Sequence, residues 1–519
     1  MGDPFYITTA ISYPNGKPHI GHAYEAIAAD VIARARKAEG YDVRFQTGTD
    51  EHGLKMAQKA RETGTTPAEL AAEMSSYFMA MCDKLNVAYD VFLRTTEERH
   101  HAASQELWRR MEANGDLYLD RYEGWYSVRD EAYYDESELV AGEGDEKLSP
   151  QGTPVEWTVE ESWFFRLSKY QDPLLELYRS SDFIRPESRR NEVARFVEGG
   201  LRDLSVSRTS FDWGVKVPGS DDHVMYVWVD ALTNYITGLG FPGETSEFVK
   251  WWPADLHLIG KDIVRFHTVY WPAFLMSAGL PVPKQVFGHG FLLNRGQKES
   301  KSLGNVTDPI ELADRYGVDV LRYFLLREVA FGQDGSYSPE AIVTRANAEL
   351  ANSFGNLAQR TLSMIFKNLD GELRGDLKLD QADVALSDAV TLGIEGLRRA
   401  FLDLDFSTGL EAWMRAVFAC NQYVDEMAPW ALRKTNPERM ATVLTVLFRC
   451  VRSLAIAVRP VVPEAIDRLL DQMGVPAAAR DYAALADDDW FGQLIGSGYR
   501  VAKPEGVFPR LELPEDATA

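Results

Sequence analysis

Two short strings in this 519-residue chain carry side chains able to handle phosphate. The first is Pro18-His19-Ile20-Gly21-His22, set between a β-rich run and an amphipathic stretch. A helix N-terminus offers unpaired N–H groups and the positive end of the macrodipole, so two imidazoles and a glycine gathered there suit a phosphate-bearing ligand. Gly21 would let a flat base approach the backbone. The second is Lys298-Glu299-Ser300-Lys301-Ser302, followed by Leu303-Gly304-Asn305. Two lysines three apart in a Gly- and Ser-flanked loop could clamp a polyphosphate. Each string alone also fits an ordinary solvated loop.

The elements that must position them follow from periodicity. Residues 5–10 read as a short strand. Ala23, Ile27 and Val31, with Ala28, Ile32 and Ala35 beside them, predict a helix over 22–39, and Gly40 stands where a C-terminal cap would. Tyr41, Val43, Phe45 and Thr47 then alternate as a strand. Strand–helix–strand with short links predicts a parallel, right-handed α/β unit. Ligands in such sheets bind beyond the carboxyl ends of strands, here residues 11–21 and 48–53. From about 114 to 219 aromatics, acids and turns predict a β-rich insertion. The α/β pattern resumes near Val224, with strands over 256–259 and 286–287 and a helix over 263–277. After Pro339 nearly everything predicts helix, a bundle interrupted by a polar link near 368–383.

Composition excludes several classes. With 45% hydrophobic and 26% charged residues, the chain can bury a sizeable core and is not disordered as a whole. Cys82, Cys420 and Cys450 are far apart and form no CxxC, which argues against a disulfide framework or zinc knuckle and for a cytoplasmic protein. The first residues show neither a basic n-region nor an apolar h-region. The apolar stretch 443–459 is interrupted by Arg449, Arg452 and Arg459, so a core helix is expected and no membrane span. The net charge of −23, from 55 Lys plus Arg against 78 Asp plus Glu, argues at first sight against nucleic acid.

A HIGH element after the first strand and a KxSKS element after the last resemble the signatures of class I aminoacyl-tRNA synthetases. Thr47-Gly48-Thr49-Asp50-Glu51-His52-Gly53, Val227-Trp228-Val229-Asp230-Ala231-Leu232-Thr233-Asn234-Tyr235 and Gly260-Lys261-Asp262-Ile263-Val264-Arg265-Phe266-His267 narrow the resemblance to the methionyl-tRNA synthetase family, in a short form without zinc-knuckle cysteines. The likeness runs from Phe5 to Phe508-Pro509-Arg510. It implies an α/β, Rossmann-like parallel-sheet catalytic domain split by a β-rich insertion and followed by an α-helical anticodon-binding bundle. The expected spans are 1–115 and 220–295 for the catalytic halves and 116–219 for the connective insertion. Residues 296–345 would hold the KxSKS loop and stem-contact region, and 346–519 the anticodon domain.

The implied reaction activates L-methionine with ATP and transfers it to the methionine tRNA, initiator and elongator alike. Catalysis would then be positioning and electrostatics. The resemblance implies that His19 and His22 bind phosphates with Gly21 beside them. Lys298 and Lys301 would close on pyrophosphate, Arg208 would support the ATP side and Asp262 would bind the ribose. Asp50 would take the substrate ammonium. Ser12, Tyr13, Trp228, Ala231, Leu232, Tyr235, Ile263 and His267 would form the methionine pocket, where aromatic walls suit a thioether. One methyl discriminates against homocysteine by only roughly 10- to 200-fold, so correction within the synthetic site is expected. Mg²⁺ is expected with ATP, and no zinc, since the insertion has no cysteine. Trp430, Asn352, Asn356 and Arg360 would read the anticodon, the last three at i, i+4 and i+8 of one helix. Glu299 departs from the usual Met of KMSKS, which puts the apolar anchor of that loop in doubt.

Other class I synthetases compete less well. The cysteine enzyme needs zinc-ligand cysteines, and the leucine enzyme needs a large editing domain. A small nucleotidylyltransferase would lack the long helical half, and a dead RNA-binding relative would not need His19, His22, Asp50, Lys298 and Lys301 intact. With no further domain after about Pro514, a monomer is expected. The charge divides by location: residues 130–161 carry net −10, 370–390 net −4 and 461–519 net −6. Those segments are expected to face away from tRNA, because like charges repel within a Debye length of about 8–10 Å.

Overall fold

The computed structural model describes residues 2–513 except 131, 143, 145, 244, 300–305, 487 and 488, and all side chains of these except those of Tyr122, Ala132, Glu160 and Lys298. Six parallel strands form the central sheet, in the order Val91–Arg94, Asp42–Thr49, Pro4–Thr9, Leu256–Gly260, Val286–His289, Ile184–Arg185. The chain order reverses at Pro4–Thr9, where Ile7 faces Phe45 on one side and Leu256 on the other. Such a reversal opens a crevice at the carboxyl ends of the strands, because the two flanking connections leave on opposite faces.

The crossover helix Ile20–Ala38 begins two residues before the expected start, because His19 caps it. Gly40 follows with φ +93°, a conformation that costs glycine little. The predicted helix 263–277 is broken. A turn at Lys261–Ile263 leads to a π-helical stretch Phe266–Tyr270 and then α-helix Trp271–Ser277. Pro272 has no N–H to continue the regular ladder, which accounts for the wider turn before it.

The insertion is a four-stranded antiparallel sheet. Leu117–Ser127 and Glu156–Phe165 form its centre, with Leu204–Ser205 and Ala132–Tyr134 at the edges. Trp125 and Trp157 stand directly opposite and meet edge to face at 5.4 Å. Ile184–Arg185, inside the span expected to be insertion, pairs with the central sheet.

In the helical region Gln381–Leu402 packs on Phe406–Met427, with Pro437–Val458 running through the core. Pro437–Val458 is apolar and long enough to cross a membrane, yet 89% of its apolar window is buried inside the fold, as a core helix requires. Arg452 lies 3.8 Å from the Trp490 ring centroid and donates to Ala484 O at 3.0 Å, contacts that hold its guanidinium inside the fold. Buried Arg322 joins the two halves. It donates to Asp30 Oδ2 (2.5 Å), Leu85 O (3.1 Å) and Val461 O (2.9 Å).

Candidate active site

A cleft of about 480 Å³ lies at the carboxyl ends of the strands, at the reversal point. Ser12, Tyr13, His19, Gly21, His22 and Asp50 line one side, and Trp228, Asp262 and Ile263 the other.

The imidazoles are held by the helix start itself. Gly21 N–H donates to His19 Nδ1 at 3.0 Å, and His19 N–H donates to His22 Nδ1 at 3.1 Å. This is a capping box built from two histidines. A neutral ring that accepts at Nδ1 carries its proton on Nε2, so each histidine is set as an Nε2–H donor. The rings lie 3.9 Å apart, and His22 meets Phe78 edge-on at 5.1 Å. A Cβ on Gly21 would stand 2.9 Å from His19 Cε1. The glycine therefore makes room for the His19 ring, a reason distinct from the expected approach of a base.

Asp50 sits where the second strand ends. Ser12 N–H donates to Gly48 O at 3.0 Å and Asp50 N–H to Ser12 O at 2.9 Å, which stitches the two loops together. Tyr13 Oη accepts from Met56 N–H at 2.8 Å, and Lys55 lies 5.3 Å from its ring. Across the cleft Trp228 stacks on Phe266 at 3.8 Å and 5°. Ala231, Leu232, Tyr235 and His267 are buried behind this wall and do not border the open cleft. Tyr235 Oη donates to His267 Nε2 at 2.6 Å, while His267 Nδ1 donates to Ile263 O at 3.0 Å. Burial pushes His267 down to about 4, so the ring is neutral at pH 7. At the end of Leu256–Gly260, a Cβ on Gly260 would stand 2.7 Å from Asp262 Oδ1, so glycine permits that carboxylate to fold back.

Two cleft residues escaped the sequence reading. His289 Nε2 lies 2.8 Å from Glu25 Oε2, and His289 Nδ1 donates to Gly290 O at 2.8 Å. Burial raises Glu25, with His289 opposing; burial would lower His289, but Glu25 outweighs it and raises the imidazole. A signal existed for both: Glu25 lies one turn beyond His22, and His289 ends a parallel strand. Arg129, Asp130 and Gln151 bring the insertion to the rim.

Arg208 does not line the cleft. It is buried between Tyr226 (4.6 Å) and Tyr133 (4.8 Å) and donates to Ser205 Oγ at 2.9 Å. Lys298 lies on the short strand Gln297–Lys298, and its side chain, like the whole of Lys301, is outside the described residues. Glu299 borders the cleft and replaces an apolar anchor with a polar one: its Oε1 accepts from Thr307 N–H at 3.2 Å and from Tyr337 Oη.

Far from the cleft, Arg360 lies 5.8 Å from the Trp430 ring and 3.6 Å from Asp425, and Trp430 is 51% exposed. An open indole beside a guanidinium is a surface on which a base can stack. Asn352 lies in a π-helical stretch, Ala346–Gly355, and Asn356 opens the α-helix Asn356–Asn368. A π turn closes i→i+5, so the step from Asn352 to Asn356 covers less than a full turn. Both asparagines are exposed.

Family profiles match both parts of the chain. "tRNA synthetases class I (M)" covers residues 5–362, and "Anticodon binding domain of methionyl tRNA ligase" covers 378–517. The chain is 56% identical over 509 residues to the methionine–tRNA ligase of Brucella suis biovar 1 (strain 1330), covering 98% of each. It is 54% identical over 518 residues to that of Mycobacterium bovis (strain ATCC BAA-935 / AF2122/97), covering 99% of each. Among solved structures it resembles Mycobacterium tuberculosis methionyl-tRNA synthetase in complex with methionyl-adenylate. The TM-score is 0.93 at 53% identity, over 98% of this chain and 100% of that one.

Proposed function

The chain belongs to the methionyl class I tRNA synthetases, and on that premise we propose that its cleft joins methionine to ATP and then to tRNA, as a methionine–tRNA ligase. The methionine carboxylate attacks the α-phosphorus of ATP, pyrophosphate leaves, and methionyl-adenylate remains. The acyl group then passes to the terminal ribose of the methionine tRNA and AMP departs.

Each role rests on local chemistry. Asp50 pairs with the substrate ammonium. Trp228 and Ile263 face the thioether, with Ala231, Leu232, Tyr235 and His267 as the neutral layer behind. His19 and His22 present Nε2–H donors toward charge that develops on the phosphates, where preorganised donors lower the barrier most. Asp262 takes the ribose hydroxyls, and Lys298 and Lys301 neutralise pyrophosphate. Arg208 acts through the tyrosines it packs between, Tyr133 of the insertion and Tyr226 at the start of helix Val227–Thr237. Among the described residues no three His, Cys, Asp or Glu gather as a metal site. Mg²⁺ would arrive with ATP and would add to the charge neutralisation that Lys298 and Lys301 supply. The protein works as a cytoplasmic monomer without zinc and reads the anticodon of initiator and elongator tRNA through Trp430, Asn352, Asn356 and Arg360.

The observation that carries this reading is the double-histidine cap sharing one cleft with Asp50 and Trp228 at the reversal point of the sheet. ATP–pyrophosphate exchange with each of the amino acids in turn tests it. Exchange is expected with methionine; exchange without methionine, or none at all, overturns it. Elemental analysis of the purified protein checks the absence of zinc.

A further inference from the structure

Behind Asp50 lies a buried network that the reaction above does not use. Asp230 Oδ2 is 2.7 Å from His52 Nδ1, and Asp230 Oδ1 is 2.7 Å from His100 Nε2. All three side chains are within a few per cent of complete burial, at 1%, 3% and 0% exposure. Burial alone would raise the Asp230 carboxyl; the two imidazoles outweigh it and hold the group ionised, well below the usual carboxylate range. A buried carboxylate of this kind resists displacement, because moving either partner strands a charge away from water.

The network joins two pieces of the methionine site. His52 belongs to the loop of Asp50, and Asp230 lies on helix Val227–Thr237 between Trp228 and Ala231. The other neighbour in the loop, Glu51, is anchored elsewhere: Arg94 Nε at 2.7 Å and Thr96 Oγ at 2.5 Å fix it to the third strand of the chain and its end. Trp213 packs edge-on against His52 at 5.3 Å and donates to Glu51 O at 2.7 Å, closing the rear of the loop. Asp50 is thus followed directly by two residues, Glu51 and His52, that are tied to different bodies. Of these two ties, the His52 tie runs to the helix that bears the side-chain wall; on the strand leading to Asp50, Gln46 also donates to Asn234 O of that helix, at 2.9 Å.

We propose that the His52–Asp230 bridge, braced by His100, sets the distance between the ammonium-binding carboxylate and the thioether wall, and so the affinity for methionine. This rests on the methionine-site reading above. His52, Asp230 and His100 are positioning residues and touch no reacting atom. A shift of the loop against the helix misplaces one end of methionine relative to the other, while the phosphate donors at His19 and His22 sit on a separate helix and stay put.

The test is methionine-dependent ATP–pyrophosphate exchange with the full chain. Asp230→Asn and His52→Leu are expected to raise KM for methionine by about tenfold or more and to leave KM for ATP within about twofold. His52→Asn, whose amide N–H stands where Nδ1 does, is expected to keep KM for methionine within about threefold of the parent. Parallel changes in both KM values, no change in either, or His52→Asn as impaired as His52→Leu would overturn the proposal. If Asp230→Asn does not fold by circular dichroism, the two His52 variants decide. A parent enzyme without methionine-dependent exchange overturns the functional reading and the bridge together. An active parent with unshifted variants overturns the bridge alone.

Discussion

At Gly21 the absence of one Cβ decides how both imidazoles are held. A methyl group 2.9 Å from His19 Cε1 would push that ring off the Gly21 N–H. Gly21→Ala is expected to lower kcat for pyrophosphate exchange by about 10- to 100-fold with little loss of thermal stability, because alanine is the better helix former and the ring alone must move. Kinetics and a melting curve on one preparation check both halves. Glu299 is the second case. Its carboxylate receives Thr307 N–H and the Tyr337 hydroxyl, so it is a polar anchor where the KMSKS motif usually has the apolar Met. Glu299→Met removes that acceptor and is expected to raise KM for ATP by about three- to tenfold, whereas Glu299→Gln keeps it and stays nearer the parent. The sequence showed the departure from the motif. It could not show what the carboxylate touches, since Tyr337 lies 38 residues away.

At the scale of elements, the strand–helix–strand unit was legible because its apolar residues repeat with a clean period and His19 caps the helix locally. The π-helical stretches Phe266–Tyr270 and Ala346–Gly355 were not, because apolar spacing reads the same whether a turn closes at i+4 or i+5. The first of these presents His267 to Tyr235, and the second carries Asn352 up to the helix that Asn356 opens. Trp430 opens the short helix Pro429–Thr435 and keeps its indole half exposed beside Arg360. Trp430→Ala is expected to leave pyrophosphate exchange within about twofold while lowering tRNA charging by about tenfold or more, the loss of one stacked base. Equal loss in the two assays would place Trp430 outside tRNA recognition.

At the scale of the whole molecule, the catalytic and helical parts share buried polar ties. Arg322 spans from Asp30 to Val461, and Asp319 Oδ2 accepts Ala465 N–H at 2.6 Å. Burial raises the Asp319 carboxyl to about 6, against the pull of Ala465 N–H and Arg322. Between about pH 4 and 6 the folded chain therefore binds more protons at this group than the unfolded chain, and stability from this group falls as pH rises through that window. Asp319→Asn cannot ionise. It is expected to gain on the parent by about 1–2 kcal/mol between pH 4.5 and 7.5, read from denaturant unfolding at each pH. Charge too acquires meaning only with location: three acidic segments account for most of the net −23, so the average said little about any one face.

By itself the sequence determined the class of chemistry, the parallel α/β start and the helical second half, and it singled out nine of the residues that border the cleft, because these follow from local spacing and short motifs. Tertiary structure alone decided the Glu25–His289 pair, across 264 residues, and the His52–Asp230 bridge, across 178. It also decided which imidazole nitrogens donate and which pocket residues stand behind the wall. The physical reason is that a buried polar group is defined by the partner that satisfies it, and packing, which brings distant segments together, chooses that partner.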